Sequence, residues 1–265
     1  MKKLLFLPIV MMLALASCDW MSSNDRPENG EATYVFADSS KYVGHWKNGK
    51  RSGQGSMVWT NGDSYEGEWR NDKPHGKGLY KWANGNTFEG DFRDSVPCGT
   101  GKYTWANGAV YEGKYKNGHP NGKGKYLAKD GSMKEGTFRN GYLEGKGVAI
   151  NEFSEKYTGY FRKGLPHGEG TMEYPSGNGK HFRKYSGEWV KGKHEGQGRL
   201  IYSNGDEYSG EFHADHADGY GVYIWTDGKR YEGYWQNDVC NGFGKLITPE
   251  GDVFEGQWSN GDFLG

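Results

Sequence analysis

Short runs in which aromatic residues and glycines alternate with charged residues recur along the chain. Tyr65, Gly67 and Trp69 alternate with Glu66 and Glu68, a pattern with a period of two. Because successive side chains of a strand point to opposite faces, this pattern predicts a strand with one aromatic face and one charged face. No later stretch shows the period of an amphipathic helix, so the chain is predicted to be all-β.

This unit returns with a fixed spacing. The interval between its central glycines is constant, except for one longer interval between Gly159 and Gly187 that contains an insertion. A constant period of this kind is typical of stacked repeats, in which each copy buries its core against its neighbours. The central glycines are Gly44, Gly67, Gly90, Gly113, Gly136, Gly159, Gly187, Gly210, Gly233 and Gly256.

Each copy also contains a second strand and two turns. Gly76, Gly78 and Tyr80 alternate along this strand, and its glycines are expected to leave slots for the rings of a neighbouring strand. Asn84 and Gly85 predict a hairpin turn, because both residues can adopt a positive φ. We therefore expect about twenty short antiparallel strands in an elongated single-layer ribbon of repeated β-hairpins.

Three features together resemble the MORN-repeat family: Tyr-Glu-Gly-Glu-Trp, a following Gly-x-Gly and an Asn-Gly turn, all at a 23-residue period. The resemblance covers residues 34–265. It implies an all-β, solenoid-like sheet of hairpins over residues 33–265. Departures from the repeat predict that this sheet is irregular around residues 143–185. Repeats of this family are linked to scaffolding, phospholipid binding and homodimerisation, and no stretch of this chain resembles an attached catalytic domain.

The first residues form a separate segment. Lys2 and Lys3 precede an apolar run at residues 4–15, which is shorter than a typical transmembrane helix. A basic start, a short apolar core and small residues before the cleavage site together predict a signal peptide over residues 1–17. The ending Leu-Ala-Ser-Cys resembles a bacterial lipobox, which implies cleavage before Cys18 and its lipidation. The alternative is an ordinary secreted protein with a cysteine near the cleavage site.

Residues 18–32, which include Pro27 and Gly30, are polar and predict a flexible tether between the lipid and the repeats. Removal of the signal peptide leaves 31 Lys and Arg residues against 34 Asp and Glu residues. The mature chain therefore has no basic character that would favour nucleic acid as a partner. The expected location is the bacterial cell envelope, at the outer membrane or surface, with the inner membrane as an alternative because Asp19 follows the cysteine.

The middle of the chain departs from the repeat. Lys134 replaces the tyrosine of the fifth copy, Phe153 and Ser154 replace its Asn-Gly turn, and an insertion falls around residues 176–184. Irregular segments of a regular scaffold often carry function, and the cations here suit phosphates or lipid head groups. The alternative is a solvated loop. The candidate patch comprises Lys180, His181, Arg183, Lys184, Arg162 and Lys163.

One cluster contains several potential metal ligands: His213, Asp215, His216 and Asp218. Imidazole and carboxylate groups in this density could hold a divalent ion. When the copies are aligned, equivalent residues form a column. This cluster falls in a column that holds a turn in the other copies, so we interpret it as a polar turn and predict no metal and no cofactor. The remaining cysteines, Cys98 and Cys240, lie six repeats apart and are not expected to pair with each other.

The sequence leaves three functional hypotheses. The first is a non-enzymatic, lipid-anchored scaffold that binds another envelope protein, a lipid head group or a glycan through its aromatic face or its irregular zone. The second is a structural lipoprotein that self-assembles as a homodimer through an open edge strand. The third is an envelope enzyme acting on lipid or glycan, which no catalytic motif supports, so no catalytic residue is assigned.

Overall fold

A computed structural model describes residues 26–176 and 181–265. The predicted signal peptide, the lipidation site at Cys18 and the patch residue Lys180 lie outside the described residues. The described part of the chain contains twenty-one β-strands and no helix, and therefore no helix that could cross a membrane. The prediction of an all-β fold is confirmed.

The chain divides into two compact units. The first unit comprises Met1–Asp130 and Thr137–Tyr142, of which the structure describes the part from Arg26 onward. It holds the strands β1 (Asn29–Val35), β2 (Lys41–Lys47), β3 (Lys50–Val58), β4 (Ser64–Arg70), β5 (Lys73–Lys81), β6 (Thr87–Arg93), β7 (Val96–Thr104), β8 (Val110–Lys116) and β9 (His119–Leu127).

The second unit comprises Gly131–Gly136 and Leu143–Gly265, so β10 (Met133–Arg139) and β11 (Tyr142–Ile150) contribute residues to both units. The strands that lie wholly in the second unit are β12 (Lys156–Arg162), β13 (Leu165–Glu173), β14 (Phe182–Val190), β15 (Lys193–Tyr202), β16 (Glu207–His213), β17 (His216–Ile224), β18 (Arg230–Gln236), β19 (Val239–Ile247), β20 (Val253–Ser259) and β21 (Asp262–Phe263). In each unit, strands that follow one another in the chain pair antiparallel, as hairpins require.

The predicted tether contributes a strand to the sheet of the first unit. Its last residues belong to β1, in which Ala32 pairs with Gly44 of β2. The guanidinium of Arg26 lies 5.4 Å from the ring centroid of Phe36, within the range of a cation–π contact. The repeat sheet therefore begins at Asn29, a few residues earlier than the sequence indicates.

Glycine pairs create the slots that hold the tyrosine rings. Gly67 of β4 pairs with Gly78 of β5. A methyl group added to Gly78 would lie 2.3 Å from the Tyr65 hydroxyl oxygen, and one added to Gly67 would lie 2.5 Å from the Gly78 Cα. The ring thus lies flat against the backbone with no room for a side chain beneath it. Tyr65 is fully buried, and its hydroxyl donates a hydrogen bond of 2.9 Å to the carbonyl oxygen of Glu68.

Aromatic contacts connect each copy to the next. Tyr65 forms edge-to-face contacts with Trp69 of its own strand and with Phe92 of the following copy, both at 5.2 Å between centroids. The indole N–H of Trp69 donates to the carbonyl oxygen of Gly55 at 3.0 Å. Such ring pairs contribute stability beyond their buried area, so the core is a row of rings lying directly on one sheet.

The two turns of each copy differ in geometry. At the short turn, Asn71 and Asp72 both adopt a positive φ, of 48° and 65°, as a type I′ turn requires. At the long turn, Gly85 alone has a positive φ, and its N–H donates to the carbonyl oxygen of Trp82. The predicted hairpin turn is present, but Asn84 does not use its capacity for a positive φ, because the loop is a type I turn closed by a left-handed glycine.

The short turn also makes hydrogen bonds with the preceding copy. The N–H of Asp72 donates to the carbonyl oxygen of Arg51, and the Asp72 carboxylate accepts the N–H of Arg51 at 3.0 Å. His194 and Ala217 make the same pair of bonds with an aspartate one copy on. Four other copies carry a proline at the position of Arg51, and proline has no N–H to donate. There the proline carbonyl oxygen still accepts the N–H of a serine or glycine in the next copy, in the pairs Pro74–Ser95, Pro97–Gly118, Pro120–Gly141 and Pro166–Gly192.

The fifth copy fills its slot by another route. Lys134 stands in the tyrosine column, and burial lowers the pKa of its amine. Leu143 is 1% exposed, and its Cδ1 would lie 2.9 Å from a methyl group added to Gly136. The missing ring is therefore replaced by a leucine from the next strand. Ser154 adopts the left-handed conformation (φ 61°) that Gly85 has in the equivalent turn of the second copy.

One buried tyrosine lacks the hydrogen bond that the others make. Tyr115 is 4% exposed, and its hydroxyl has no hydrogen-bond partner. Because Phe92 and Phe138 fill the same column, we expect Tyr115→Phe to leave the free energy of unfolding unchanged or to raise it by about 1 kcal/mol. The matched change Tyr65→Phe should lower it by about 1 kcal/mol, since that hydroxyl is bonded. Urea unfolding of both variants checks this, and equal losses would contradict it.

Candidate functional site

The regular aromatic face is mostly closed to solvent. Tyr65 is fully buried, Trp69 is 3% exposed and Tyr80 is 2% exposed. Trp82 is half-buried between Tyr80 and Tyr103, with ring centroids 4.6 Å and 5.4 Å away. These rings form the core of the first unit, so they are not an open platform on which a sugar or peptide could stack.

In the second unit, exposed rings lie on the face of the strands opposite to their own buried rings. Tyr220 of β17 is 44% exposed, and Tyr234 of β18 and Phe243 of β19 are each 52% exposed. We call these three residues the aromatic surface. They lie on three neighbouring strands, on the face where other copies carry charged side chains. Clustered exposed rings are uncommon on soluble proteins and mark interaction sites.

The register of the strands brings the rings into one row. Tyr220 and Tyr234 are direct cross-strand partners, and their rings meet edge to face at 5.5 Å. A β-bulge lies between Gly233 and Trp235 in the pairing with the next strand, where a methyl group added to Gly242 would lie 3.1 Å from the Tyr234 Cβ. Gly242 leaves space beside Tyr234, and Phe243 follows it.

The charges beside the aromatic surface are already paired. The Tyr220 hydroxyl donates to Glu232 at 2.9 Å, and Arg230 forms an ion pair with Glu232 at 2.6 Å. The bond to Glu232 raises the pKa of Tyr220, and the same bond together with Arg230 lowers the pKa of Glu232. Lys245 and Glu255 form a further pair at 3.3 Å. The rings are therefore surrounded by a nearly neutral polar rim.

The aromatic surface also lacks a backbone contact that charged copies make. In the second copy, the Glu68 carboxylate accepts the N–H of Lys77 at 3.0 Å. In the third copy, Asp91 accepts the N–H of Thr100 at 2.8 Å. Tyr234 occupies the Glu68 position, and its ring cannot accept a hydrogen bond in this way. An exposed ring stands here in place of the carboxylate that accepts this N–H in the second and third copies.

A groove lies at the short-turn edge of the first unit, and we call it the cationic groove. It is an open depression of about 640 Å³, lined by one lysine, one arginine, one histidine and three asparagines, with no carboxylate among its lining residues. The Asn121 amide N–H₂ donates to the Asn140 side-chain oxygen across it at 3.5 Å. The lining residues are Lys116, Asn117, His119, Asn121, Arg139 and Asn140.

The structure does not gather the predicted basic patch into one site. Arg162 pairs with Leu165 beside the short turn, whereas Lys184 pairs with Glu173 toward the other end of β13. These ends are about 25 Å apart at the rise of an extended strand. The N–H of Lys163 donates to Glu144 at 2.8 Å. The described part of the patch therefore consists of two separate groups: Arg162 with Lys163, and His181 with Arg183 and Lys184.

The four potential metal ligands, which the sequence analysis interprets as a polar turn, make separate contacts with neighbouring copies. His213 contacts Glu195 at 2.9 Å, and His216 contacts Asp238 at 2.6 Å. Asp215 accepts the N–H of His194, and Asp218 accepts the N–H of Asn237. Residues 26–176 and 181–265 contain no group of three or more His, Cys, Asp or Glu side chains arranged to hold a metal ion.

Both described cysteines are free thiols. Burial raises the pKa of the Cys98 thiol, and burial raises that of Cys240 to about 11. At neutral pH both side chains are therefore protonated and weakly nucleophilic.

Sequence reasoning missed the aromatic surface and the cationic groove. Both could be found by aligning the copies column by column. Tyr220, Tyr234 and Phe243 stand in columns that are polar or charged in most copies, and Asn121 stands where Glu195 lies in a later copy.

The MORN repeat profile matches ten segments: residues 42–64, 65–87, 88–110, 111–133, 135–150, 157–179, 185–207, 208–230, 231–253 and 254–263. No curated protein sequence matches the chain.

Several solved structures align with the chain at low similarity. The TCP domain of SAS-4 from Drosophila melanogaster, in complex with a proline-rich motif of Ana2, is 12% identical, covers 79% of this chain and 95% of its own, and gives a TM-score of 0.31. The G-box domain of the microcephaly protein CPAP is 10% identical, covers 87% and 100%, and gives 0.29. Virginiamycin B lyase from Staphylococcus aureus is 12% identical, covers 87% and 71%, and gives 0.14.

These structural scores are too low to carry an inference about fold or function. The profile, by contrast, spans almost all of the described residues, and its segments coincide with the hairpins of the sheet. Repeats of this kind serve in general as scaffolds and binding modules. The chain belongs to the MORN-repeat family.

Proposed function

We propose that the protein is a non-enzymatic, lipid-anchored scaffold of the bacterial cell envelope that binds a partner protein through the aromatic surface. The observation that carries the proposal is the row formed by Tyr220, Tyr234 and Phe243, each at least 44% exposed. Burying such a row would remove a large apolar area from water and would favour association.

The composition of this surface suits a protein partner. Tyrosine and phenylalanine are enriched at the cores of protein interfaces, where charged residues are depleted. Ile224 is 43% exposed and Val253 is 53% exposed on the same face, which extends the apolar area beyond the rings. The paired charges Arg230 and Glu232 supply the kind of polar rim that surrounds an interface core.

The anchor part of the proposal rests on the first residues of the sequence. A basic start, a short apolar run and Leu-Ala-Ser-Cys at Cys18 fit a lipoprotein signal. Several acyl chains on one residue hold a protein firmly to a membrane, where one chain binds only marginally. A scaffold held at the membrane would meet its partner at a raised effective concentration.

Photocrosslinking in intact cells tests the proposal. A photo-reactive residue at position 234 of the full-length chain should capture one dominant partner protein. The same residue at Lys114, the equivalent exposed position of the fourth copy, should capture none of it. Replacing both Tyr220 and Phe243 by Ser should reduce the capture at position 234 at least fivefold, because these rings form the centre of the contact.

Three outcomes would contradict the proposal in different ways. Equal capture at positions 234 and 114 would remove the aromatic surface as the binding site. Capture of only a second copy of the chain would favour the self-assembling alternative. A Cys18→Ala variant that still co-sediments with membranes after carbonate extraction would remove the lipid anchor.

A further inference from the structure

We infer that the short-turn edge of the first unit binds an extended acidic segment of a partner protein. The inference goes beyond the proposed function and does not depend on the aromatic surface, which belongs to the second unit. It rests on one exposed cation at the end of a strand in each of five consecutive copies. We call this column the basic stripe, and it comprises Lys47, Arg70, Arg93, Lys116 and Arg139.

The hairpins place these cations in single file along one edge. Each is the last residue of its strand and lies on the face opposite to the buried ring that precedes it, as Arg70 follows Trp69. Two strands separate successive members, so the cations recur about every 10 Å at the usual spacing of strands. The cationic groove is the depression between the last two members, Lys116 and Arg139.

The strand pairing sets no carboxylate opposite the first four members of the basic stripe. They pair with two lysines, a valine and a histidine, as Lys47–Lys50, Arg70–Lys73, Arg93–Val96 and Lys116–His119. Lys50 and Lys73 are exposed as well, so they add to the positive charge of the edge. Within residues 26–176 and 181–265, no member of the stripe forms an ion pair.

A second charged column on the same face is neutralised by this chain itself. Lys102 pairs with Glu89 on one side and with Glu112 on the other, and Glu112 pairs in turn with Lys125. Opposite charges across a ladder stabilise it, whereas like charges directly opposite are destabilising. The basic stripe lacks this compensation, so it keeps a positive charge that attracts an acidic partner.

The carboxylates of the short turns in the first unit contact other groups. Asp72 accepts the backbone N–H of Arg51 and forms an ion pair with its guanidinium at 2.9 Å. Asp94 lies 3.7 Å from the ring of His75. Neither carboxylate forms an ion pair with a member of the basic stripe.

The fold does not require a cation at this position. In the second unit only Arg162 continues the basic column, and the later copies carry Val190, His213, Gln236 and Ser259 there. The strands that end at Val190, His213 and Gln236 still form the same short hairpins. The cations of the first unit therefore serve something other than the folding of the hairpin.

An extended acidic chain fits the geometry of the basic stripe. A strand rises about 3.3 Å per residue, so every third side chain recurs about every 10 Å, which matches the spacing of the cations. A segment of about 13 residues with an acid at every third position would span all five copies. Arginine binds a carboxylate through two parallel hydrogen bonds. A flat anionic surface fits less well, because charges further along the strands are paired, as Lys77 with Asp91 at 2.7 Å.

Fluorescence anisotropy with a labelled synthetic peptide tests the inference. The probe has about 13 residues, with glutamate at every third position and serine elsewhere, and is titrated with the full chain at low ionic strength. We expect saturable binding that weakens as salt is added, because exposed charges are screened. A peptide of the same composition with its glutamates in one block should bind about threefold more weakly, since fewer of them reach a cation.

Two variants of equal charge separate the basic stripe from net charge. The test variant replaces three arginines of the stripe: Arg70→Gln, Arg93→Gln and Arg139→Gln. The control variant removes the same charge elsewhere on the same face: Lys81→Gln, Lys102→Gln and Lys125→Gln. The test variant should bind the spaced peptide about tenfold more weakly, because three ion pairs are lost. The control variant should bind it within about twofold of the wild type, because screening weakens distant charges.

Four outcomes overturn the inference. The first is an equal loss in the two variants with circular dichroism unchanged, which would show that net charge alone attracts the peptide. The second is equal binding of the spaced and the blocked peptides by the wild type. The third is no peptide binding at low ionic strength. The fourth is sedimentation with vesicles that contain phosphatidylserine, lost in the test variant and without peptide binding, which would assign the basic stripe to a membrane surface.

Discussion

Gly78→Ala should be among the most destabilising single substitutions in this chain, lowering the free energy of unfolding of the first unit by about 3 kcal/mol. The added methyl group would lie 2.3 Å from the Tyr65 hydroxyl oxygen, far inside van der Waals contact. The ring cannot retreat, because it is fully buried against Trp69 and Phe92. Thermal and urea unfolding of the variant measure the loss.

Gly108→Ala provides the control for the backbone alone. Gly108 has a φ of 88° and no atom within 4 Å of an added methyl group, so its replacement changes conformation without a clash. A cost of about 1 kcal/mol is expected there. If both variants lose the same stability, the steric slot is not what requires glycine at position 78.

Acidification should destabilise the second unit through His194. This residue is 7% exposed and stacks on Tyr185 with centroids 3.7 Å apart. Burial lowers its pKa from 6.5 to about 4, and the nearby Asp215 only partly opposes that shift. Between these two values the unfolded chain binds more protons than the folded chain, so stability falls as the pH falls from 6.5 to 4. The full loss is about 3 kcal/mol.

His194→Leu isolates this contribution. Leucine occupies the same column at Leu143, and the variant keeps the backbone N–H that donates to Asp215. Urea unfolding of both proteins at several pH values should show that the wild type loses about 3 kcal/mol more than the variant between pH 6.5 and pH 4. Parallel pH profiles would show that folding does not lower the pKa of His194.

The alternation of residues predicted most of the fold. Tyr65, Gly67 and Trp69 share one face, and Gly78 leaves the slot that its column indicated. The turn geometries were harder to predict. An Asn-Gly pair is compatible with more than one type of hairpin loop, and the flanking residues decide which type forms. Two positive φ values occur at Asn71 and Asp72, where the sequence has no glycine to signal them.

The candidate sites were less predictable because they depend on cross-strand neighbours. The sequence shows that Lys116 and Arg139 are basic, but only the structure shows which side chain would neutralise each one. In a later copy, for example, His213 contacts Glu195 of the preceding copy. Likewise, the contact between Tyr220 and Tyr234 depends on the pairing of β17 with β18. A period identifies the columns, whereas partners across strands decide their chemistry.

The copies of this chain are not interchangeable modules, despite their common length. The N–H of Ala217 in one copy is bonded to the Asp238 carboxylate of the next, whereas Pro74 offers no N–H and faces Ser95. A recombination that placed a proline copy before an aspartate turn would leave that carboxylate without its donor. Duplication and shuffling of such repeats are therefore constrained at the junction between copies, and a transplanted hairpin should carry the following short turn with it.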